Sequence, residues 1–302
     1  MTQPQLLHGP VVRDYVFQAL ESDIKKVVDQ GAPLPGLAVI LVGDDPASQV
    51  YVASKHRACQ QLGMHSFEHK LPADTSEETL AQLITSLNQD SSVDGILLQL
   101  PLPKHLNADR MIQLIDPSKD VDGLHPVNIG KVLIGLPSLQ SCTPSGVCEL
   151  MSYYNIDPSG QHVVIIGRSN LVGKPLAAKL MQKSKIGNAT VTVCHSRTKD
   201  LSKIASTADI LVAAIGIPHY VTQDMIKPGA VVIDVGINRV DDPQSTKGYR
   251  LVGDVHFDAV HSKVSAITPV PGGVGPMTIA MLMKNTMIAY RNHQSIQQPT
   301  SA

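Results

Sequence analysis

The sequence predicts an α/β protein of two domains. The chain has 302 residues, more than a single hydrophobic core usually organises. Short apolar segments alternate with segments of helical periodicity in both halves, a pattern typical of parallel sheets covered by helices on both faces. The alternation stops at residues 116–145, which are rich in Asp, Pro and Gly, and then resumes. Loops of this length are usually functional or linking, so we expect a domain on either side of it.

The first half reads as a sequence of helices and strands in alternation. A helix is predicted over 10–30, where apolar residues recur at helical spacing and Gly31 follows as a stop signal. The run GLAVILVG at 36–43 is apolar throughout, as expected of a strand buried on both faces. The elements predicted next are a helix that ends near Gly63, a weaker strand at 65–72, a helix over 76–90, a strand at 94–103 and a helix near 107–115.

The second half repeats the alternation after a predicted helix at 144–155. The predicted strands are 162–167, 189–196, 209–216 and 230–236, and the predicted helices are 173–184, 199–207 and a short one near 222–226. The last predicted helix, 277–292, is apolar nearly all round. Such a helix is expected to pack between other elements.

Composition and charge narrow the class of protein. The net charge is −1 and the basic residues are scattered, so no nucleic-acid footprint is expected. The chain has no apolar run long enough to span a membrane and no signal-like N-terminus. Its four cysteines form no CxxC pair. We therefore expect them to be reduced and to serve in packing, and we expect no metal site. We expect a soluble cytoplasmic protein that binds neither nucleic acid nor membrane.

A glycine turn follows the first strand of the second half. The segment HVVIIGRSNLVGKP places Gly167 and Gly173 six residues apart, with Arg168 and Ser169 between them. This departs from the usual G-x-G-x-x-G dinucleotide fingerprint, and a plain βα loop is the alternative. Lys174 opens the following helix, whose N-terminus favours an anion.

The end of the next strand bears on which dinucleotide would bind. An NAD site normally has an acidic residue there, on the ribose 2′-hydroxyl. The sequence VCHSRT offers Ser196 and Arg197 and no acid, which suits a 2′-phosphate and favours NADP over NAD. The alternative is a solvated polar loop.

Polar residues of the first half have both functional and ordinary interpretations. Tyr51 and Lys55 lie at positions i and i+4 of one predicted helix and therefore share a face. They are either a catalytic pair or two ordinary surface side chains. Gln99 lies at the end of a predicted strand, where its amide is either a capped polar group or a substrate ligand. Asp120 and Asp122 follow in the long loop, where they either bind a ligand or cap turns. Short-chain dehydrogenases also use a Tyr-x-x-x-Lys pair, but there the pair follows the glycine turn in sequence, whereas here it precedes it.

Seven segments together resemble the bifunctional methylenetetrahydrofolate dehydrogenase/methenyltetrahydrofolate cyclohydrolase family. They are YVASKHRACQQLGM, GILLQLPLP, KDVDGLHPVNIGK, CTPSGV, IGRSNLVGKP, VIDVGIN and TPVPGGVGPMTIAMLMKNT. The resemblance runs from about residue 5 to 292 in the family's motif order. It implies two α/β domains that flank a cleft: a folate-binding catalytic domain at 1–143, to which the C-terminal helix 277–296 returns, and a Rossmann-like NADP-binding domain with a parallel sheet at 144–276.

The resemblance also implies an activity and an assembly. A homodimer would oxidise 5,10-methylenetetrahydrofolate with NADP and hydrolyse the methenyl product to 10-formyltetrahydrofolate, in one-carbon metabolism that serves purine biosynthesis. The alternatives are a non-catalytic NADP-binding sensor, which would need a broken first-half constellation, and a dehydrogenase without cyclohydrolase activity.

Carried over by position, the resemblance assigns roles to individual residues. It implies catalytic roles for Lys55, Tyr51, Gln99 and Asp122, which with Leu100, Pro271, Gly272 and Gly275 would bind the substrate. It implies cofactor contacts from Gly167, Arg168, Ser169, Gly173, Ser196, Ile237 and Thr278. One departure is Ile215, where many family members have threonine. An ammonium beside a cationic methenyl ring would be unfavourable, so we expect that Lys55 can be neutral and can deprotonate the attacking water.

Overall fold

The computed structural model describes residues 3–245 and 248–297. Its strands are β1 (Gln5–Leu6), β2 (Gly36–Val42), β3 (His65–Leu71), β4 (Gly95–Leu98), β5 (His162–Ile166), β6 (Thr190–Cys194), β7 (Ile210–Ala213), β8 (Val231–Asp234), β9 (Asn238–Asp241), β10 (Tyr249–Val252) and β11 (Ala266–Ile267). Its helices are α1 (Gly9–Asp29), α2 (Pro46–Leu62), α3 (Glu77–Gln89), α4 (Ala108–Leu114), α5 (Pro126–Leu133), α6 (Cys142–Tyr153), α7 (Gly173–Leu180), α8 (Leu201–Ala205), α9 (Phe257–Val260) and α10 (Gly275–Gln297), with 3₁₀ turns at Gln223–Met225 and His261–Lys263.

The chain divides into two compact units, each built on a parallel sheet, so the predicted two-domain α/β class is confirmed. One unit, the six-stranded unit, contains the residues up to Asp14 and Thr143–Thr278. The other, the three-stranded unit, contains Tyr15–Cys142 and the residues from Ile279 onward. The predicted boundary placed the first residues with the folate domain, whereas β1 pairs with β11 in the six-stranded sheet.

The three-stranded sheet has the order β3-β2-β4, and all its pairs are parallel. Every residue of the central strand β2 is buried, as its unbroken apolar sequence predicts. Helix α3 starts at the Ser76 cap, whose hydroxyl accepts from the Thr79 N–H at 3.1 Å. Its Leu80 and Ile84 are fully buried with Ile40 and Ile96 in one hydrophobic core.

The loop after α4 is held against β4. The Ile96 N–H donates to the Lys119 carbonyl at 2.7 Å, and Ile96 forms a parallel bridge with Asp120. Farther along, the segment predicted as one long loop contains helix α5. Pro126 opens this helix, and the Val127 N–H donates to Nδ1 of the capping His125 at 3.1 Å.

The six-stranded sheet has the parallel order β1-β11-β8-β7-β5-β6. The four predicted strands are present, and β11 and β1 extend the sheet beyond β8. Chain order reverses direction at β5, because β6 lies on one side and β7 on the other. Open α/β sheets bind ligands at the carboxyl ends of the strands beside such a reversal.

The chain also contains a small hairpin and a long final helix. Strands β9 and β10 form a separate antiparallel hairpin in which Val240 pairs with Arg250. The final helix α10 is longer than predicted, and its side chains from Ala280 to Met283 are all buried, which confirms that it packs between other elements. Within the described residues, no helix combines the length and the apolar character that crossing a bilayer requires.

Candidate active site

Helix α2 presents the predicted Tyr51 and Lys55 from consecutive turns. The helix begins where the Asp45 carboxylate accepts the Ser48 N–H at 2.8 Å, and it ends at Gly63 in the left-handed conformation with φ of 73°. Lys55 is only 9% exposed, whereas Tyr51 is 47% exposed. The pair therefore combines a buried amine with an accessible aromatic ring.

The buried amine has a fixed partner at the end of β4. Nζ of Lys55 donates to Oε1 of Gln99 at 2.7 Å, and Nε2 of Gln99 donates to the Leu100 carbonyl at 2.6 Å. The second bond orients the amide so that its oxygen faces the lysine. Gln99 is itself 9% exposed, so this contact is largely shielded from water.

The two predicted acids of the long loop have different environments. The Asp120 carboxylate accepts the backbone N–H groups of Leu124 and His125, at 3.2 and 2.8 Å, and Nδ2 of Asn128 at 2.9 Å. Asp120 thus holds the turn, which is the ordinary role that the sequence left open for it. Burial raises its pKa to about 6, although these three donors oppose the rise.

Asp122 lies in the electrostatic environment of Lys55. Burial lowers the pKa of Lys55, against the opposing effects of Asp122 and Cys142. Burial also raises the pKa of Asp122, against the effects of Lys55 and of a hydrogen bond with Cys142. Both shifts favour the neutral forms, so the structure supports an amine that can be unprotonated. The structure thus brings Lys55, Gln99 and Asp122 together.

Cys142 is a member of this cluster that sequence reasoning missed. Its Sγ lies 3.3 Å from the Val121 carbonyl, and burial together with Asp122 raises the pKa of the thiol well above its ordinary value. The sequence predicts only a packing role because a lone cysteine without a spaced partner carries no signal. Its place at the start of α6, where the charge of Lys55 acts on its thiol, depends on contacts between segments far apart in sequence.

A second group of predicted residues lies where β5 and β6 end. Gly167 has a φ of 134°, and a Cβ there would lie 2.1 Å from the Ala214 carbonyl oxygen. A Cβ on Gly173 would lie 2.0 Å from the Gly167 oxygen, so both glycines are needed for this tight turn. Arg168 and Ser169 follow the strand and are exposed, and the Ser169 hydroxyl accepts the Val172 N–H at 3.1 Å.

Ser196 lies on the neighbouring strand end. The Gly167 N–H donates to the Cys194 carbonyl at 2.9 Å, so the segment carrying Arg168 and the segment carrying Ser196 leave the sheet side by side. Ser196 is exposed, and no acidic residue follows β6 before Asp200. A guanidinium and a hydroxyl at adjacent strand ends fit a phosphate.

The remaining predicted residues are on the segments that follow β8 and β11. A Cβ on Gly275 would lie 3.2 Å from Cδ1 of Ile237, which is 44% exposed. Thr278 on the first turns of α10 lies 3.3 Å from Thr143, hydroxyl to hydroxyl. Pro271 is exposed and Gly272 has a φ of 102° in the loop before that helix.

Two buried carboxylates shape the loops of the six-stranded unit. Sequence reasoning missed both of them. Asp254 is fully buried and accepts the N–H groups of Ile215 and Gly216 at 2.7 and 2.9 Å. Asp234 accepts the N–H groups of Gly236, Asp254 and Val255. The hydrogen bond at Ile215 is made by its backbone N–H, so isoleucine in place of the family's threonine leaves this bond intact.

Comparison with known proteins assigns the chain to a family. Residues 7–122 match the family described as tetrahydrofolate dehydrogenase/cyclohydrolase, catalytic domain, and residues 141–294 match the corresponding NAD(P)-binding domain. The chain belongs to the tetrahydrofolate dehydrogenase/cyclohydrolase family. The family resemblance predicted from the motifs is thereby confirmed.

Individual relatives are similar over almost their whole length. The bifunctional protein FolD of Chlorobium phaeobacteroides (strain DSM 266) is 53% identical over 289 residues, 95% of this chain and 98% of the relative. The solved FolD methylenetetrahydrofolate dehydrogenase/cyclohydrolase of Campylobacter jejuni is 46% identical, with a TM-score of 0.89 over 95% of this chain and 99% of the other. The Trypanosoma brucei methylenetetrahydrofolate dehydrogenase-cyclohydrolase, solved with NADP and an inhibitor, is 37% identical with a TM-score of 0.92, over 99% of this chain and 100% of the other.

Proposed function

We propose that this protein is a methylenetetrahydrofolate dehydrogenase (NADP+) and methenyltetrahydrofolate cyclohydrolase. It oxidises 5,10-methylenetetrahydrofolate to the 5,10-methenyl form and hydrolyses that product to 10-formyltetrahydrofolate. The observation that carries the proposal is the buried Lys55 amine, 2.7 Å from Gln99 and in the field of Asp122, in a chain of the tetrahydrofolate dehydrogenase/cyclohydrolase family.

The folate substrate would bind around this amine. The exposed ring of Tyr51 suits stacking on a flat heterocycle, and the Asp122 carboxyl suits the nitrogen-rich edge of a pterin. Further proposed substrate contacts are Leu100, next to Gln99, Pro271 and Gly272 of the loop before α10, and Gly275, the first residue of that helix. In this assignment Gln99 orients the amine and Asp122 holds the ring.

NADP fits the strand ends of the six-stranded unit. The turn formed by Gly167 and Gly173 leaves no room for a Cβ, and a backbone of this kind lets a pyrophosphate approach. Arg168 and Ser196 would hold the 2′-phosphate, with Ser169, Ile237 and Thr278 as further contacts. When bound, NADP supplies the acceptor for the hydride that leaves the folate methylene carbon.

Lys55 would act in the hydrolytic step. The methenyl ring is cationic, so a charged ammonium beside it would be repelled, whereas a neutral amine would not. Burial lowers the pKa of Lys55 and makes the neutral amine accessible. The amine then takes a proton from the water that attacks the methenyl carbon, while Gln99 keeps it in place.

A comparison of Lys55→Met with the wild-type protein tests this function. We expect the wild-type protein to reduce NADP in the presence of methylenetetrahydrofolate, followed by absorbance, and to hydrolyse methenyltetrahydrofolate. Lys55→Met should lower the hydrolysis rate about 100- to 10,000-fold, the usual contribution of a general base, and change folate affinity much less. Arg57→Met removes an exposed cation of the same helix and serves as the control. Unimpaired hydrolysis by Lys55→Met would contradict the assignment.

We also propose that the enzyme is a cytoplasmic homodimer. All four cysteines are free and buried, which suits a reducing compartment. In the six-stranded unit, Ile217, Tyr220 and Leu251 are 46%, 37% and 38% exposed, and apolar surface of this kind supports an interface between two copies.

A further inference from the structure

Asn285 of helix α10 joins two distant chain segments of the three-stranded unit. The residue is 6% exposed. Its Nδ2 donates to the carbonyl oxygens of Val121 and Gln140, both at 2.8 Å. A primary amide carries two hydrogens on this nitrogen, so the two bonds use both of them. The Asn285 side chain therefore fixes the distance between the loop after α4 and the segment before α6.

Both segments lead directly into the Lys55 cluster. Val121 immediately precedes Asp122, and Gln140 is two residues before Cys142. Asn285 Nδ2 is also 3.7 Å from Cys142 Sγ, and that thiol lies 3.3 Å from the Val121 carbonyl that Asn285 binds. The amide and the thiol therefore meet at a single carbonyl group beside Asp122.

The two segments approach so closely that small errors in their spacing would matter. Gly123 has a φ of 69°, and a Cβ there would lie 2.3 Å from the Gln140 carbonyl carbon. Backbones at this distance have little freedom to adjust when a hydrogen bond between them and a third group is lost. Loss of the Asn285 amide would remove one donor from the buried Val121 carbonyl and one from the half-buried Gln140 carbonyl, and the segments would shift with Asp122 and Cys142.

We propose that Asn285 is a positioning residue for the cyclohydrolase step, which holds Asp122 and Cys142 in place against Lys55. The inference rests on the proposed function, because it concerns the same amine. Asn285 acts through the backbone carbonyl groups of Val121 and Gln140. Its effect reaches Lys55 through the Asp122 carboxyl and the Cys142 thiol. Misplacement of a reacting group by about 1 Å can cost about 100-fold in rate.

The pH profile distinguishes this role from a general role in folding. The titratable groups that act on Lys55 are Asp122 and Cys142, and both raise its pKa. If Asp122 moves away, the Lys55 pKa falls further, and the neutral amine persists to lower pH. The rising limb of the cyclohydrolase rate against pH would then move toward acid, whereas loss of folded protein would only lower the amplitude.

The test compares Asn285→Leu with wild type and with Thr286→Val. Leucine approximates the shape of asparagine without its donors. Thr286 is the fully buried neighbour whose hydroxyl donates to Leu282 within the same helix, so its valine variant controls for disturbed helix packing. We expect Asn285→Leu to lower kcat of hydrolysis about 10- to 100-fold, to change KM little and to shift the rising limb toward acid. Thr286→Val should match wild type.

The possible results separate the inference from the proposed function. A rate and pH profile of Asn285→Leu equal to those of Thr286→Val would overturn the inference. If Asn285→Leu does not fold, Asn285→Ala, which also lacks both donors and adds no charge, takes its place with the same expectation. Failure of both to fold, beside a folded Thr286→Val, would make Asn285 a folding determinant and overturn its positioning role. A wild-type protein without either activity would reject the proposed function, and the inference with it.

Discussion

Asp120 and Asp122 show how the neighbours of a side chain decide its role. Three donors occupy the Asp120 carboxylate and make it the centre of a turn. Asp122, two residues later, instead faces Cys142 and the Lys55 amine. Burial raises the pKa of both acids, so burial alone does not separate them. The difference is that backbone N–H groups donate to the Asp120 carboxylate, whereas Asp122 forms a hydrogen bond with the Cys142 side chain.

Ser196 allows a test of the preference for NADP. In Ser196→Asp, a carboxylate would stand where the 2′-phosphate is proposed to bind, and it would repel that phosphate while accepting a ribose hydroxyl. We expect KM for NADP to rise about 10- to 100-fold, a cost of roughly 1.4–3 kcal/mol, with a much smaller change for NAD. Steady-state dehydrogenase rates with each cofactor measure this.

The matching control is Ser206→Asp. Ser206 follows α8, and its hydroxyl donates to the Lys203 carbonyl. The residues after it lead into β7, so Ser206 lies at the amino edge of the same sheet. Ser206→Asp therefore adds the same charge to the same unit at the opposite edge. Equal effects of the two substitutions on KM for NADP would contradict the placement of the 2′-phosphate at Ser196.

The residues of the candidate site differ in how well a sequence can reveal them. Gly167 and Ser196 follow strands whose apolar sequences mark their ends, so their position at the carboxyl edge was predictable. Lys55 and Gln99 were ambiguous by spacing and gained meaning only from the family resemblance. Asn285 was not predictable, because its two partners are backbone carbonyls more than a hundred residues away, and backbone groups leave no trace in a sequence.

Close packing between the loop after α4 and its neighbours depends on two glycines. A Cβ on Gly95, at the start of β4, would lie 2.5 Å from Cγ1 of Val121. A Cβ on Gly123 would collide with the backbone of Gln140 and Ser141. The absence of side chains at these positions lets the loop run along β4, which places Asp122 near the end of the strand that bears Gln99.

Gly123→Ala should therefore damage both the fold and the activity. The residue has a positive φ of 69° and no space for a methyl group, so strain of about 1–3 kcal/mol adds to a collision with backbone. We expect a loss of at least about 2 kcal/mol in the free energy of unfolding, measured with urea, and a lower cyclohydrolase rate in the remaining folded protein.

Gly130→Ala is the control for the same chemical change. Gly130 is exposed in helix α5, and nothing lies within 4 Å of its Cβ position. In an exposed helix interior, alanine raises the free energy of unfolding by about 0.5–1 kcal/mol relative to glycine. This variant should therefore be slightly more stable than wild type. Equal unfolding free energies for the two variants would contradict the packing argument at Gly123.

Strands and helices with a strong local pattern were predicted, and those without one were not. Strand β2 is apolar at every position and α3 is amphipathic, and both appear where the sequence placed them. Strands β1 and β11 contain two residues each, too few for a period, and they exist because they pair with each other across the chain. Helix α7 ends earlier than predicted, at Leu180, because a turn through Gly187 and Asn188 follows, in which the Asn188 N–H donates to the Gln182 carbonyl.

Each of the two units buries a carboxylate that organises its loops. Asp120 does so in the three-stranded unit and Asp234 in the six-stranded unit. Burial raises the pKa of Asp120 to about 6, and burial with a contribution from Asp254 raises that of Asp234 to about 7. Between about pH 4 and pH 6 we therefore expect the folded state of both units to retain a proton that the unfolded chain has already released, since the ordinary pKa of aspartate is about 3.9.

The sign of the resulting pH dependence follows from proton linkage. Where the folded state binds more protons than the unfolded state, the free energy of unfolding falls as pH rises. The contribution of Asp234 is thus fully present below about pH 4 and is lost as pH rises through about 7. Its slope in that window approaches about 1.4 kcal/mol per pH unit, so at most about 4 kcal/mol is lost in total.

Asp234→Asn removes the titrating group and should flatten this slope. The amide cannot accept every N–H that the carboxyl accepts from Gly236, Asp254 and Val255, so the variant is less stable than wild type at acid pH. The difference should shrink as pH rises toward about 7, where wild type must ionise the buried group. Urea unfolding across this range measures it, with Asp74→Asn, which removes an exposed carboxylate, as the control. If both variants keep the wild-type slope, the buried proton is not at Asp234, and the loops of this unit are held by hydrogen bonds to a carboxylate that stays ionised.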